Sequence, residues 1–170
     1  MAIIKTLKGK TPLLDKACFL ADNAVIIGDV KIGKNCSIWF GAVLRGDVNK
    51  IRLGDQVNVQ DNVTIHCTYQ KSETIIGNNV TIGHNAIVHG CTIADNVLVG
   101  MGAIVMDHCV IGENSIIAAG AVLPANTVVD PGTIYAGIPA RQLKTVSSEL
   151  VAEEIERIAN NYTLYASWYK

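Results

Sequence analysis

Leu14, Leu20, Ile26, Ile32, Ile38 and Leu44 recur at a period of six. After a small insertion at 49–50 the series resumes at Leu53, Val59 and Ile65. A second insertion, at 69–74, precedes Ile76, Ile82 and Val88. One residue is then dropped, and from Ile93 the period runs unbroken through Val99, Val105, Ile111, Ile117 and Leu123 to Val129. All nineteen positions are Leu, Ile or Val, and the residue four later is small or β-branched nearly throughout, as at Cys18, Ala24, Ala86 and Ala121. An amphipathic helix repeats its apolar stripe every 3.6 residues and cannot produce this pattern. Each hexad instead predicts one short, flat side of a coil, its aliphatic residue inward and its small residue at a tight corner. Three hexads close a triangular turn, and successive turns stack as parallel strands about 4.8 Å apart. The repeats, over about 14–134, predict an all-β parallel β-helix of about six coils.

The pattern changes after the repeats. Pro131, Gly132 and the GIPA segment at 137–140 end them, and Ser147 or Ser148 can cap a helix with acidic first turns at Glu149, Glu153 and Glu154. Leu150, Val151, Ile155 and Ile158 follow at helical spacing, with an aromatic tail at Tyr162, Tyr165, Trp168 and Tyr169. The chain thus divides into a hexapeptide-repeat domain over 1–146 and a C-terminal α-helix over 147–170, expected to pack against the side of the prism.

Composition narrows the reading. The chain is 49% apolar but only 5% aromatic, so its core must be built from Val, Ile, Leu and Ala. Net charge is −1 with no basic run, which gives no electrostatic reason to expect a nucleic acid or an anionic membrane as partner. No stretch approaches the roughly 20 apolar residues of a membrane span, and MAIIKTLKGK lacks the apolar run of a secretory signal. Five cysteines without a CxxC pair read as reduced thiols, and the expected compartment is cytoplasmic.

Only four histidines occur, and their register matters. His66 follows Ile65 and His89 follows Val88, so both take the second hexad position on the third side of successive coils. They are expected to stack, close enough to converge on one ion with metal–nitrogen bonds near 2.0–2.1 Å. His84 lies on the preceding side of the same coil as His89, across a corner. It can join the pair only from a neighbouring subunit, and a contact of that kind closes as a ring, most simply a trimer. A solvated histidine ladder is the bland alternative. His108 falls mid-hexad and reads as surface. Cys67 and Cys91 flank the pair in sequence, but cysteine is among the most buried residue types.

The surroundings of the histidines favour the metal. Leu44-Arg45-Gly46-Asp47, then Asn58-Val59-Gln60-Asp61-Asn62, Ile65-His66, and Gly83-His84 with His89 five on together resemble the signature of γ-class carbonic anhydrases. The hexads themselves resemble the hexapeptide-repeat superfamily over roughly residues 10–140, which implies that the β-helix is left-handed. The γ-class resemblance implies a homotrimer with a metal at each interface, His66 and His89 from one subunit and His84 from the next. It implies Zn2+, or Fe2+ in some members, and reversible hydration of CO2 to bicarbonate by zinc-bound hydroxide. Gln60 and Asn58 would orient water and substrate, Arg45 and Asp47 would pair near the interface with Arg45 attracting bicarbonate, and Asp61 would support the same network. From their place in the hexads, Asn58 and Asp61 also suit corners.

The chain departs from that pattern in two places. Val48 stands where the archetypal enzyme carries a glutamate, and the segment 67–73 is short, with Glu73 its only acid. A chain lacking an acidic proton shuttle is expected to keep its metal site and turn over slowly. Other functions on the same scaffold are acyl transfer from a CoA thioester with one histidine as general base, metal-dependent thioester hydrolysis, and a non-catalytic trimeric scaffold.

Overall fold

A computed structural model describes residues 1–169 of the chain. Its repeats coil into a three-faced parallel β-helix. The first face stacks Phe19–Leu20, Ser37–Ile38, Asn58–Val59, Thr81–Ile82, Leu98–Val99, Ile116–Ile117 and Thr133–Gly137. The second stacks Ile3–Lys5, the start of Val25–Ile32, the start of Val43–Leu53, Thr64–His66, Ile87–His89, Ile104–Val105 and Val122–Leu123. Leu13–Leu14, the ends of the same two long strands, Thr74–Ile76, Thr92–Ile93, Val110–Ile111 and Val128–Val129 form the third. Each face therefore has seven parallel rungs, one coil more than the hexads predict. The added rungs lie at the two ends: Ile3–Lys5 pairs with Val25, Ile26 and Ile27 without a hexad pattern of its own, and Thr133–Gly137 stacks on Ile116–Ile117 after the last hexad.

The aliphatic hexad residue points inward, as the pattern requires: Ile26, Ile38, Leu44, Val59, Ile65, Ile82 and Val88 are all 0% exposed. The residue four later is also inside, so Ala24, Ala42, Val63, Ala86 and Ala103 fill the corners of the core. Burial of this apolar column, rung upon rung, is what holds the coils together. The corners themselves fall at the fourth hexad position, which takes positive φ at Asn35, Gln56, Asn62, Asn79, Asn85, Asn96, His108, Asn114 and Asn126. Asparagine tolerates that left-handed conformation better than most residues, because its short side chain hydrogen-bonds locally. Glycine at the second hexad position answers a different need. A Cβ on Gly83 would sit 2.7 Å from the Met101 backbone nitrogen on the next coil.

At the C-terminal end Ala140–Thr145 folds back antiparallel on Thr133–Gly137, a strand that the hexad pattern does not show. Ser147 then caps the helix by accepting a hydrogen bond from the Leu150 nitrogen at 3.3 Å. The helix is α over Ser148–Leu150, widens to π over Val151–Glu156, and is α again over Arg157–Ser167. It returns along the first face towards the first coils, where Phe19, Trp39, Tyr162 and Tyr165 form a second apolar cluster outside the prism. Among the described residues no helix is long and apolar enough to cross a membrane.

Candidate metal centre

His66 and His89 end Thr64–His66 and Ile87–His89, which pair in register so that the two histidines are partners on adjacent rungs. Their rings lie 5.2 Å apart at 61°. Thr74 clamps the backbone behind them, donating to the His66 carbonyl at 2.7 Å and accepting from the Gly90 nitrogen at 3.0 Å.

His66 Nδ1 faces His89 Nε2 at 3.2 Å. Each ring is held by a carboxylate on its other nitrogen: His66 Nε2 is 2.9 Å from Asp47 Oδ1, and His89 Nδ1 is 3.0 Å from Asp107 Oδ2. An ionised carboxylate only accepts, so it keeps the ring proton on its own side. With both rings neutral, the facing nitrogens then carry lone pairs, an arrangement that a cation between them would satisfy. Two nitrogens bound to one tetrahedral zinc at 2.0–2.1 Å lie about 3.3 Å apart, so the donor spacing fits a metal. Carboxylate-backed histidines are also the usual form of metal-ligating imidazole.

Both carboxylates stay ionised well into acid. Burial would raise the Asp47 carboxyl, but the His66 hydrogen bond and the Arg45 guanidinium overcome it and hold the group below its ordinary value. Burial opposes ionisation at Asp107 too, and hydrogen bonds from Ser72 and Thr68 together with His89 overcome it.

His84 stands apart from this pair. It lies in the corner after Thr81–Ile82, with Nδ1 2.8 Å from Asp61 Oδ2 and Nε2 3.2 Å from the Tyr162 hydroxyl on the C-terminal helix. Burial, with Asp61 nearby, pushes the Tyr162 hydroxyl up to about 12, so it remains a donor. Among the described residues, no three His, Cys, Asp or Glu side chains of one chain converge as a metal-binding group.

The remaining sequence candidates separate into two groups. Arg45 pairs with Asp47 within the same chain and so braces the His66 carboxylate. Gln60 accepts from the His84 backbone nitrogen at 3.1 Å and donates to Asn58, which donates to Thr81 at 2.7 Å. Asn58 therefore lies on the strand Asn58–Val59, buried, and not at a corner as its hexad position suggested, whereas Asp61 does occupy a turn. Cys67 and Cys91 are buried, at 1% exposure each, and Cys67 Sγ lies 3.5 Å from both the Lys50 carbonyl and the Thr74 hydroxyl. Glu73, the lone acid of the 67–73 segment, is taken up by Lys50 at 2.8 Å.

Sequence reasoning missed Asp107 and Tyr162. Asp107 had a usable signal, since it lies two residues past Val105, which stacks on Val88 one coil later. Tyr162 had none, because nothing in a hexad register says where a returning helix will touch the prism.

The chain resembles known proteins along most of its length. The family model described as bacterial transferase hexapeptide (six repeats) matches residues 13–46 and 90–125, and one for the hexapeptide repeat of succinyl-transferase matches 73–106. A probable carbonic anhydrase of Methanocaldococcus jannaschii is 50% identical over 153 residues, covering 90% of this chain and 93% of that protein. The carbonic anhydrase of Geobacillus kaustophilus is 44% identical, covering 96% and 88%. Mitochondrial gamma carbonic anhydrase 2 of Arabidopsis thaliana is 43% identical over 90% of this chain, which spans only 56% of that protein's length. Among solved structures, a hexapeptide transferase family protein from Anaplasma phagocytophilum superposes with a TM-score of 0.94 at 44% identity, covering 99% of this chain and 98% of the other. A putative acetyltransferase of Bacillus cereus gives 0.94 at 38% identity, covering 99% and 96%. On this likeness and on its hexad architecture, the chain belongs to the γ-class carbonic anhydrase family of hexapeptide-repeat proteins.

Proposed function

We propose that the protein catalyses reversible hydration of CO2 to bicarbonate at metal centres shared between the subunits of a homotrimer. The observation that carries this reading is the 3.2 Å approach of His66 Nδ1 and His89 Nε2, each ring backed by a carboxylate. His66 and His89 of one subunit and His84 of the next would hold the ion. Zn2+ suits three neutral imidazoles, and Fe2+ is the alternative. When bound, such an ion supplies a Lewis acid that draws the pKa of a water from 15.7 towards about 7.

The chain's own residues do the rest. Asp47, Asp107 and Asp61 hold the three imidazoles turned, each beside one ring nitrogen. Gln60 and Asn58 fix the corner that presents His84, and Arg45 places a positive charge where bicarbonate leaves. The proton released on hydration has no acidic acceptor in the 67–73 segment, because Glu73 is paired with Lys50; transfer then falls to buffer or solvent, and turnover is slow. On the second face, Ile87, Ile104 and Val122 form an outward apolar row in register with Thr64, beside the histidine pair, which supports a subunit contact there. Five free cysteines suit a reducing compartment, and we place the protein in the cytoplasm.

The test is metal content and CO2 hydration on anaerobically purified protein. About one metal per subunit with metal-dependent hydration is expected. Absence of stoichiometric metal would sink the reading. Metal without hydration, but with cleavage of an acyl-CoA thioester, would transfer the assignment to the thioesterase, a reading kept alive by the structural likeness to a putative acetyltransferase.

A further inference from the structure

The segment 67–73 holds no proton shuttle, yet it is tightly built. Lys71 and Ser72 both donate from their backbone nitrogens to the Thr68 carbonyl, at 3.1 and 3.2 Å. The Thr68 nitrogen donates to Ser72 Oγ at 2.9 Å, and Asn49 holds the Ser72 carbonyl at 2.8 Å. Ser72 is 5% exposed. Its hydroxyl donates to Asp107 Oδ1, and the other oxygen of that carboxylate takes His89 Nδ1 at 3.0 Å. Gly90 passes directly beneath this junction, where a Cβ would overlap both Ser72 Oγ and Asp107 Oδ1.

The direction of every bond in the chain is fixed. Ser72 Oγ receives the Thr68 N–H, so its own proton goes to Asp107. The ionised carboxylate can only accept, so His89 must donate through Nδ1. Its Nε2 lone pair is left pointing at His66 Nδ1. The segment after His66 therefore reaches across to the other histidine of the pair and decides which of its nitrogens is free.

We propose that Asp107 is a positioning residue that locks His89 in the Nδ1–H tautomer, and that Ser72 of the 67–73 segment orients Asp107 and so sets the metal affinity of the centre. This rests on the reading of His66 and His89 as metal ligands.

The experiment uses the full chain stripped of metal, with nitrogen-15 NMR of the His89 ring and zinc affinity by chelator competition. Wild type should show a single Nδ1–H tautomer. Asp107→Asn and Ser72→Ala should show mixed tautomers, and Asp107→Asn should weaken zinc binding about 10–100-fold, Ser72→Ala less. Glu73→Gln, on the same segment but paired at the surface, should change neither. An Nε2–H tautomer in the wild type overturns the proposal outright, whether or not the variants fold. So does an affinity loss in Ser72→Ala with the tautomer unchanged, since a merely structural role would produce that. If wild type binds no zinc while its tautomer is as stated, the metal reading fails and the positioning of His89 by Asp107 stands.

Discussion

The Tyr162 hydroxyl lies 3.2 Å from Nε2 of His84, and so ties the C-terminal helix to the one histidine that stands outside the stacked pair. This is the nitrogen left free by Asp61, which holds Nδ1. A metal arriving at His84 must displace the Tyr162 hydrogen bond.

Removing that competitor should favour the metal. Tyr162→Phe keeps the ring between Trp39 and Tyr165 but leaves Nε2 without its donor. A hydrogen bond of about 0.5–1.5 kcal/mol no longer has to be broken, so zinc affinity should rise about two- to tenfold. Chelator competition reads this directly, and a fall in affinity would show instead that the hydroxyl supports the bound state.

Sharing of the centre between subunits can be tested by complementation. His66→Ala and His84→Ala chains should each lose stoichiometric metal. Unfolding the two together and refolding them as a mixture should regenerate a fraction of complete sites, measured as bound metal. If mixing restores none, ligands do not come from different subunits.

Asp29 provides a pH signature of its own. The Lys10 ammonium, and Arg52 at 2.6 Å, hold its carboxyl below the ordinary value against the opposing effect of burial. A lowered folded-state pKa means stability fully present above the unfolded value of about 3.9 and lost as pH falls through the folded one. Asp29→Asn should therefore lower Tm at pH 7 by about 2–4 °C, for a loss near 1 kcal/mol, and flatten the stability curve below about pH 4. Equal slopes in thermal melts from pH 2 to 5 would contradict this.

Gly83 sets how closely two coils approach beside His84. Gly83→Ala places a methyl 2.7 Å from the Met101 nitrogen, and the backbones must part. A loss of about 1–3 kcal/mol is expected, measurable by denaturant unfolding. An unchanged midpoint would mean that the corner relaxes freely.

Much of the prism was legible because a single physical rule, one inward aliphatic per side, repeats along the chain. Ile65 and Val88 gave the register that stacks His66 on His89, and the corner between His84 and His89 predicted their separation. Three features were not legible. Ile3–Lys5 joins the second face by backbone pairing, with Ile3 and Ile4 exposed, so no buried position marks it. Ala140–Thr145 is held by antiparallel pairing, with nearly all its side chains in solvent. Asparagine favours corners, but Asn58 is buried on a strand, and Thr81 and Gln60 satisfy its amide. There local preference gives way to burial.

The 67–73 segment leaves and rejoins the prism between two hexads, and the rungs on either side of it stay paired, Leu44 with Ile65 before it and Ile51 with Thr74 after it. Such a corner can lengthen, shrink or change its composition without moving either histidine, because the stacked rungs alone determine their spacing. Descendants of this fold are thus free to exchange the chemistry around the histidines one excursion at a time, and divergence in activity need leave no trace in the scaffold.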